Sequence, residues 1–230
     1  MMLATQFVLM KMSESLALFS LPLFPLSAVL FPGGTLPLRI FEVRYLDMIG
    51  KCHKAGAPFG VVMLTQGTEV RQPNAGAQDG SRFAKECFHT VGTLATITKL
   101  STPQTGLMAI RCTGNKRFRM SSCEQLKHGL WVANVVQIPD DQQISIPDDL
   151  RGVSTALGNL INTLHARDMD PQQMPMQPPY LLDDCAWVAN RWCELLPMPM
   201  VQKQRLMELE NPLVRLELVS DILGRSGIAT

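Results

Sequence analysis

Ser81, with Asp79 two residues before it and Lys85 four after, is the nearest this chain comes to a nucleophile beside a base. A serine hydrolase needs its hydroxyl held against that base, as in G-x-S-x-G or S-x-x-K, and neither pattern occurs. Lys85 would also have to be held neutral by burial, and the polar, Gly-rich stretch around it offers no apolar wall. The four histidines, His53, His89, His128 and His165, have no carboxylate or serine at a motif spacing. No G-x-x-x-x-G-K-[ST] run is present to cradle phosphates. The six cysteines contain no C-x-x-C pair. Cys52 beside His53, and Cys87 two before His89, could each offer two metal ligands, but nothing marks the other two that a site would require. The residues therefore predict no catalytic set, no metal, no cofactor and reduced, buried thiols.

Two clusters carry chemistry suited to binding instead. In the FEVRY segment, Glu42 and Arg44 could orient a peptide while Phe41 and Tyr45 supply apolar contact. The other reading of the same residues is two core aromatics and a local ion pair. Between residues 91 and 130, Lys99, Arg111, Lys116, Arg117, Arg119 and Lys127 face only Glu124. There Lys116, Arg117 and Arg119 with Phe118 interleaved could hold RNA phosphates and stack a base, or simply form the solvated side of a hairpin. The net charge of +1 gives no general attraction to nucleic acid. Fourteen methionines are many. Met169, Met174, Met176, Met198 and Met200 gather around proline-rich segments, where flexible thioethers could adapt to varied partners or fill gaps between helices.

The elements that must position these residues divide the chain. Hydrophobic residues make up 46% and charged residues 18% of 230, the composition of a globular protein. No apolar run approaches the ~20 residues of a membrane span. Residues 1–20 read as a flexible extension without a basic start, with Met12 a second candidate for the initiator, and the protein as cytoplasmic. From 21 to 140 short β-branched and aromatic runs alternate with Pro and Gly. Strands are predicted at 29–31, 36–40, 59–64, 91–100, 107–112, 116–121 and 131–137. Gly33 with Gly34, and Gly114 with Asn115, supply turns. Phe41, Tyr45, Met48, Ile49 and Cys52 recur at helical spacing before Gly56. Residues 65–86 read as a long loop. From 145 to 225 the pattern is helical: an apolar stripe from Leu150 to Leu164, a four-proline linker at 170–179, a helix at 183–196, and a restart at Asn211–Pro212.

Residues 21–49, LPLFPLSAVLFPGGTLPLRIFEVRYLDMI, resemble the opening of the Lon N-terminal domain family. FGVVML at 59–64, VGTLATI at 91–97, G-x-x-R-F-x-M at 114–120 and QKQRLMELENPLVRLELVSDIL near the end fit the family in the same order. The resemblance implies an α+β fold, a PUA-like twisted β pseudobarrel followed by a small C-terminal helical bundle. It also implies a substrate-recognition module for unfolded or extended polypeptides, of the kind that in full-length Lon proteases precedes an ATPase and a Ser-Lys protease domain. RNA binding stands as the alternative, since other PUA-like folds bind RNA.

Overall fold

The computed structural model describes residues 16–70, 84–167, 170 and 174–228. Seven strands come first: β1 Ala17–Leu26, β2 Thr35–Ile40, β3 Phe59–Gln66, β4 Cys87–Phe88, β5 Val91–Gln104, β6 Leu107–Gln125 and β7 Trp131–Gln137, with helix α1, Val43–Ala55, between β2 and β3. A 3-10 turn at Asp148–Leu150 then leads into α2 Arg151–Ala166, α3 Cys185–Leu195, α4 Met200–Glu208 and α5 Pro212–Arg225. The fold is α+β, as expected. Hydrogen bonding runs β1-β7-β6-β5-β3, and a parallel pairing of β1 with β3 closes the ring. The other pairings are antiparallel. β2 pairs only with β6, so among the described residues its other edge is open.

Period-two side chains sort the sheet into two cores. Leu21 and Leu23 of β1 pack with Val62, Leu94 and Phe118. Phe24 and Leu26 of the same strand face the opposite way, onto Tyr45, Met48 and Ile49 of α1. The helices gather a third core around Val153, Leu157, Val188, Trp192, Leu216 and Val219, with Phe31 and Val91 reaching into it from the β half.

Three expectations are corrected. Residues 29–31 are not a strand, and β1 was not foreseen because Pro22 and Pro25 hide its alternation. That strand pairs with β7 up to Pro22 and with β3 beyond it, so each proline keeps an open side for its missing N–H. Residues 107–112 and 116–121 belong to one continuous β6, and Gly114 is not a turn. A Cβ on Gly114 would lie 2.4 Å from the Phe31 carbonyl oxygen. Gly33, at φ 74°, donates to the Gly114 carbonyl at 2.8 Å, and Gly114 donates back to that of Gly34 at 2.8 Å. The glycines let two backbones touch. Finally, Phe41 precedes α1 rather than joining its inward stripe.

Caps match the sequence signals. Gly56 ends α1 in the left-handed region at φ 62°. The Asp184 carboxylate accepts from the Trp187 N–H at 2.7 Å, and Asn211 accepts from those of Leu213 and Val214 ahead of Pro212. Met174, Met176 and Met198 are buried, so these thioethers fill gaps beneath the proline-rich chain. Only Met200 of the cluster is exposed among the described residues, and Met169 lies outside them.

Candidate functional site

The FEVRY segment divides at the entrance to α1. Phe41 is 56% exposed and Val43 80%, whereas Tyr45 and Arg44 are buried. Tyr45 packs on Phe24 with ring centroids 4.1 Å apart. Arg44 lies over the Tyr45 ring and makes a web of short contacts. Its Nε donates to Glu42 at 3.0 Å, Nη2 donates to Glu86 at 2.9 Å, and Nη1 donates to the Gly129 carbonyl at 2.8 Å. The Trp131 indole also donates to Glu86, at 2.7 Å. Burial, the largest single effect, opposes the Arg44 charge, but the Glu86 hydrogen bond together with the charges of Tyr45, Glu86 and Glu42 outweighs it and the guanidinium titrates above its ordinary value. Arg44 thus staples α1 to the segment before β4 and to the β6–β7 turn. Of the two readings of the sequence, peptide contact or core aromatic and ion pair, these buried contacts of Arg44 and Tyr45 match the second.

What remains exposed borders a groove. Phe24 and Leu26 from the end of β1, Pro37, Leu38 and Arg39 from β2, Phe41, Glu42, Glu69 and Val70 enclose about 260 Å³. Val70 is 45% exposed. The Glu69 carboxylate accepts from the Ser27 N–H at 2.6 Å and fixes one rim. Glu69 and Val70 were not foreseen as site residues, because their proximity to Phe41 is tertiary.

The basic set of β6 is dispersed by the fold. Phe118 is fully buried and cannot stack a base. Arg117, 3% exposed, points into the junction with the helices, where Nη1 donates to the carbonyls of Met207 and Leu209 and Nη2 to Asp141 at 2.7 Å. Burial pulls its pKa down, against Asp141. Lys116 pairs with Asp140 at 3.0 Å, and Arg119 is exposed.

Of the chemistry-bearing residues, Ser81 and Asp79 lie outside the described residues, and Lys85 is exposed. His53 and His128 are exposed, His165 meets Tyr180 at 3.2 Å, and His89 approaches Glu208 at 3.6 Å. Among the described residues no three His, Cys, Asp or Glu side chains group as metal ligands, and no helix is long and apolar enough to cross a membrane. Burial pushes the thiols of Cys112 and Cys193 up to about 12 and that of Cys185 to about 11, so at neutral pH they are protonated and poor nucleophiles.

One carboxyl at the helical junction titrates near neutrality. Glu194 accepts from Arg191 at 2.8 Å, and Arg191 also donates to the Pro32 carbonyl at 2.9 Å. Burial, only partly offset by Arg191, raises Glu194 to about 7. The folded state therefore holds this proton more tightly than the unfolded chain. The resulting stabilisation is complete below the ordinary value of 4.5, falls as pH rises, and is gone above about 7. We expect Glu194→Gln to flatten the fall in unfolding free energy between pH 5 and 7, by no more than about 3 kcal/mol. Urea titrations of both proteins across that range would show it, and parallel pH profiles would refute it.

The fold and the site together define a module with a shallow apolar groove and a rigid ionic scaffold behind it. The chain matches the ATP-dependent protease La (LON) substrate-binding domain over residues 20–225 and belongs to that family. It is 26% identical over 211 residues to a Lon protease of Anaeromyxobacter dehalogenans, a match covering 89% of this chain but 23% of that protein. Its structure is similar to the crystal structure of a Lon N-terminal domain protein from Xanthomonas campestris, at a TM-score of 0.66 and 29% identity, covering 89% and 98% of the two chains. The N-terminal domain of a Mycobacterium avium complex Lon protease shares the fold at a TM-score of 0.54 and 17% identity, covering 88% of this chain and 96% of that one.

Proposed function

We propose that this protein holds unfolded or extended polypeptide segments on its exposed apolar surface, without catalysis of its own, as a cytoplasmic accessory to proteolysis or protein quality control. The observation that carries this reading is the exposure of Phe41 and Val70 in the lining of one groove, with Val43, also exposed, next in the chain to Glu42 of that lining. Soluble proteins seldom leave neighbouring large apolar side chains in water without a use for them. At about 260 Å³ the groove falls below the range of roughly 300–1,000 Å³ usual for small-molecule sites, and suits a few side chains of a passing chain. Membership of the substrate-binding family supports the same reading. The two-lobe division at 21–140 and 145–225 belongs to it as well, the β lobe presenting the groove and the helical lobe bracing it.

A fluorescent, permanently unfolded protein titrated into the wild type should bind saturably, in the micromolar range expected of one site without avidity. A Phe41→Ser, Val43→Ser variant should fold normally and bind about tenfold more weakly or worse, since each apolar side chain buried on binding contributes roughly 1.5–3 kcal/mol. The absence of saturable binding to the wild type would defeat the proposal.

A further inference from the structure

We infer that the groove takes its polypeptide as an added β-strand, paired to the open edge of β2, and that it selects segments in which apolar residues alternate with basic ones. This rests on the proposed polypeptide binding and specifies its mode. The backbone supplies the first reason. β2 runs antiparallel to β6 from Thr35 to Ile40, and among the described residues no strand pairs with its other side. An open edge presents N–H and C=O groups that an extended chain satisfies and that water alone otherwise covers. Pro37 sits in β2, as suits an edge strand, where one N–H can be lost without breaking an internal ladder.

Side chains supply the second reason. Pro37, Leu38 and Arg39 of that strand are also the groove's wall, and Phe24 and Leu26 stand across it. A strand laid along β2 would direct alternate side chains into this apolar space and the others outward. Charge gives the third. Among the described residues that line the groove, Glu42 and Glu69 are negative and Arg39 is positive, leaving one negative charge in excess. The Glu69 carboxylate is at the exposed rim, within reach of a lysine or arginine on the incoming segment.

The test uses labelled peptides of alternating valine and lysine, with the intact protein. One peptide is unmodified, and two others carry N-methyl groups on one or the other alternating set of amides, which point to opposite edges of a strand. Strand addition predicts that one methylated set weakens binding about tenfold, because its amides face β2, while the other binds as the parent does. A valine–glutamate peptide should bind more weakly than the valine–lysine one, and Glu69→Lys should abolish that preference. Equal binding by both methylated peptides, or no preference for lysine, overturns the inference. If the unfolded protein still binds saturably in that case, the general polypeptide role survives; if neither it nor any peptide binds, both fail together.

Discussion

Asp141→Ala should cost on the order of 3–5 kcal/mol of unfolding free energy, a large share of the roughly 5–15 kcal/mol that holds a typical domain together. Its carboxylate accepts from Arg117 at 2.7 Å and from Arg215 at 2.5 Å, and both guanidiniums are almost completely buried. Removing the carboxylate leaves two buried positive charges facing each other. Carbonyl oxygens of Leu206, Met207 and Leu209, with the Asn190 side chain, still accept from them, but carry no full charge to balance either. Because Arg117 comes from β6 and Arg215 from α5, the loss should loosen the seam between sheet and helices. Urea unfolding gives the direct measurement, and Asp141→Asn, which keeps the shape without the charge, should lose a comparable amount. A loss below about 1 kcal/mol in both variants would mean that the arginines find other compensation.

That seam is where sequence reading was blind. The family motifs, α1 with its Gly56 stop, and the restart at Asn211–Pro212 are all local in origin, and each could be read from residues a few positions apart. Arg117 and Phe118 were legible as a basic and aromatic pair but not as interior groups, because Arg117 meets residues 141, 207 and 209 while Phe118 packs on β1, β3, β5 and β7. No periodicity links those positions. The same limit applies to Glu86, which follows a polar, Gly-rich stretch of sequence and gives no sign there that it will meet Arg44 across 42 residues. In the FEVRY segment, alternation could not say which side chains face in. Phe41 falls outside the helix, so the helical period that places Tyr45 in the core does not govern it.

Arg44→Ala should therefore be costly for stability rather than selectively for binding, at about 3–5 kcal/mol. With the guanidinium gone, Glu86 keeps the Trp131 indole donor, without a positive charge beside it among the ion pairs of the described residues, in a site where its side chain is 5% exposed. The Gly129 carbonyl also loses a donor. Glu86→Gln alone should be destabilising too, because Arg44 loses its more buried ion pair and keeps the one with the less buried Glu42. The double variant Arg44→Ala, Glu86→Gln should recover part of the loss, giving a coupling of roughly 1–3 kcal/mol between the two positions. Phe41→Ser, by contrast, removes a side chain that already stands in water and should change stability by less than about 0.5 kcal/mol. The contrast separates the scaffold from the surface that touches a partner. If Arg44→Ala left the urea midpoint unchanged while weakening polypeptide binding, the guanidinium would be a contact group after all, and the division of the FEVRY segment into an exposed rim and a buried staple would be wrong.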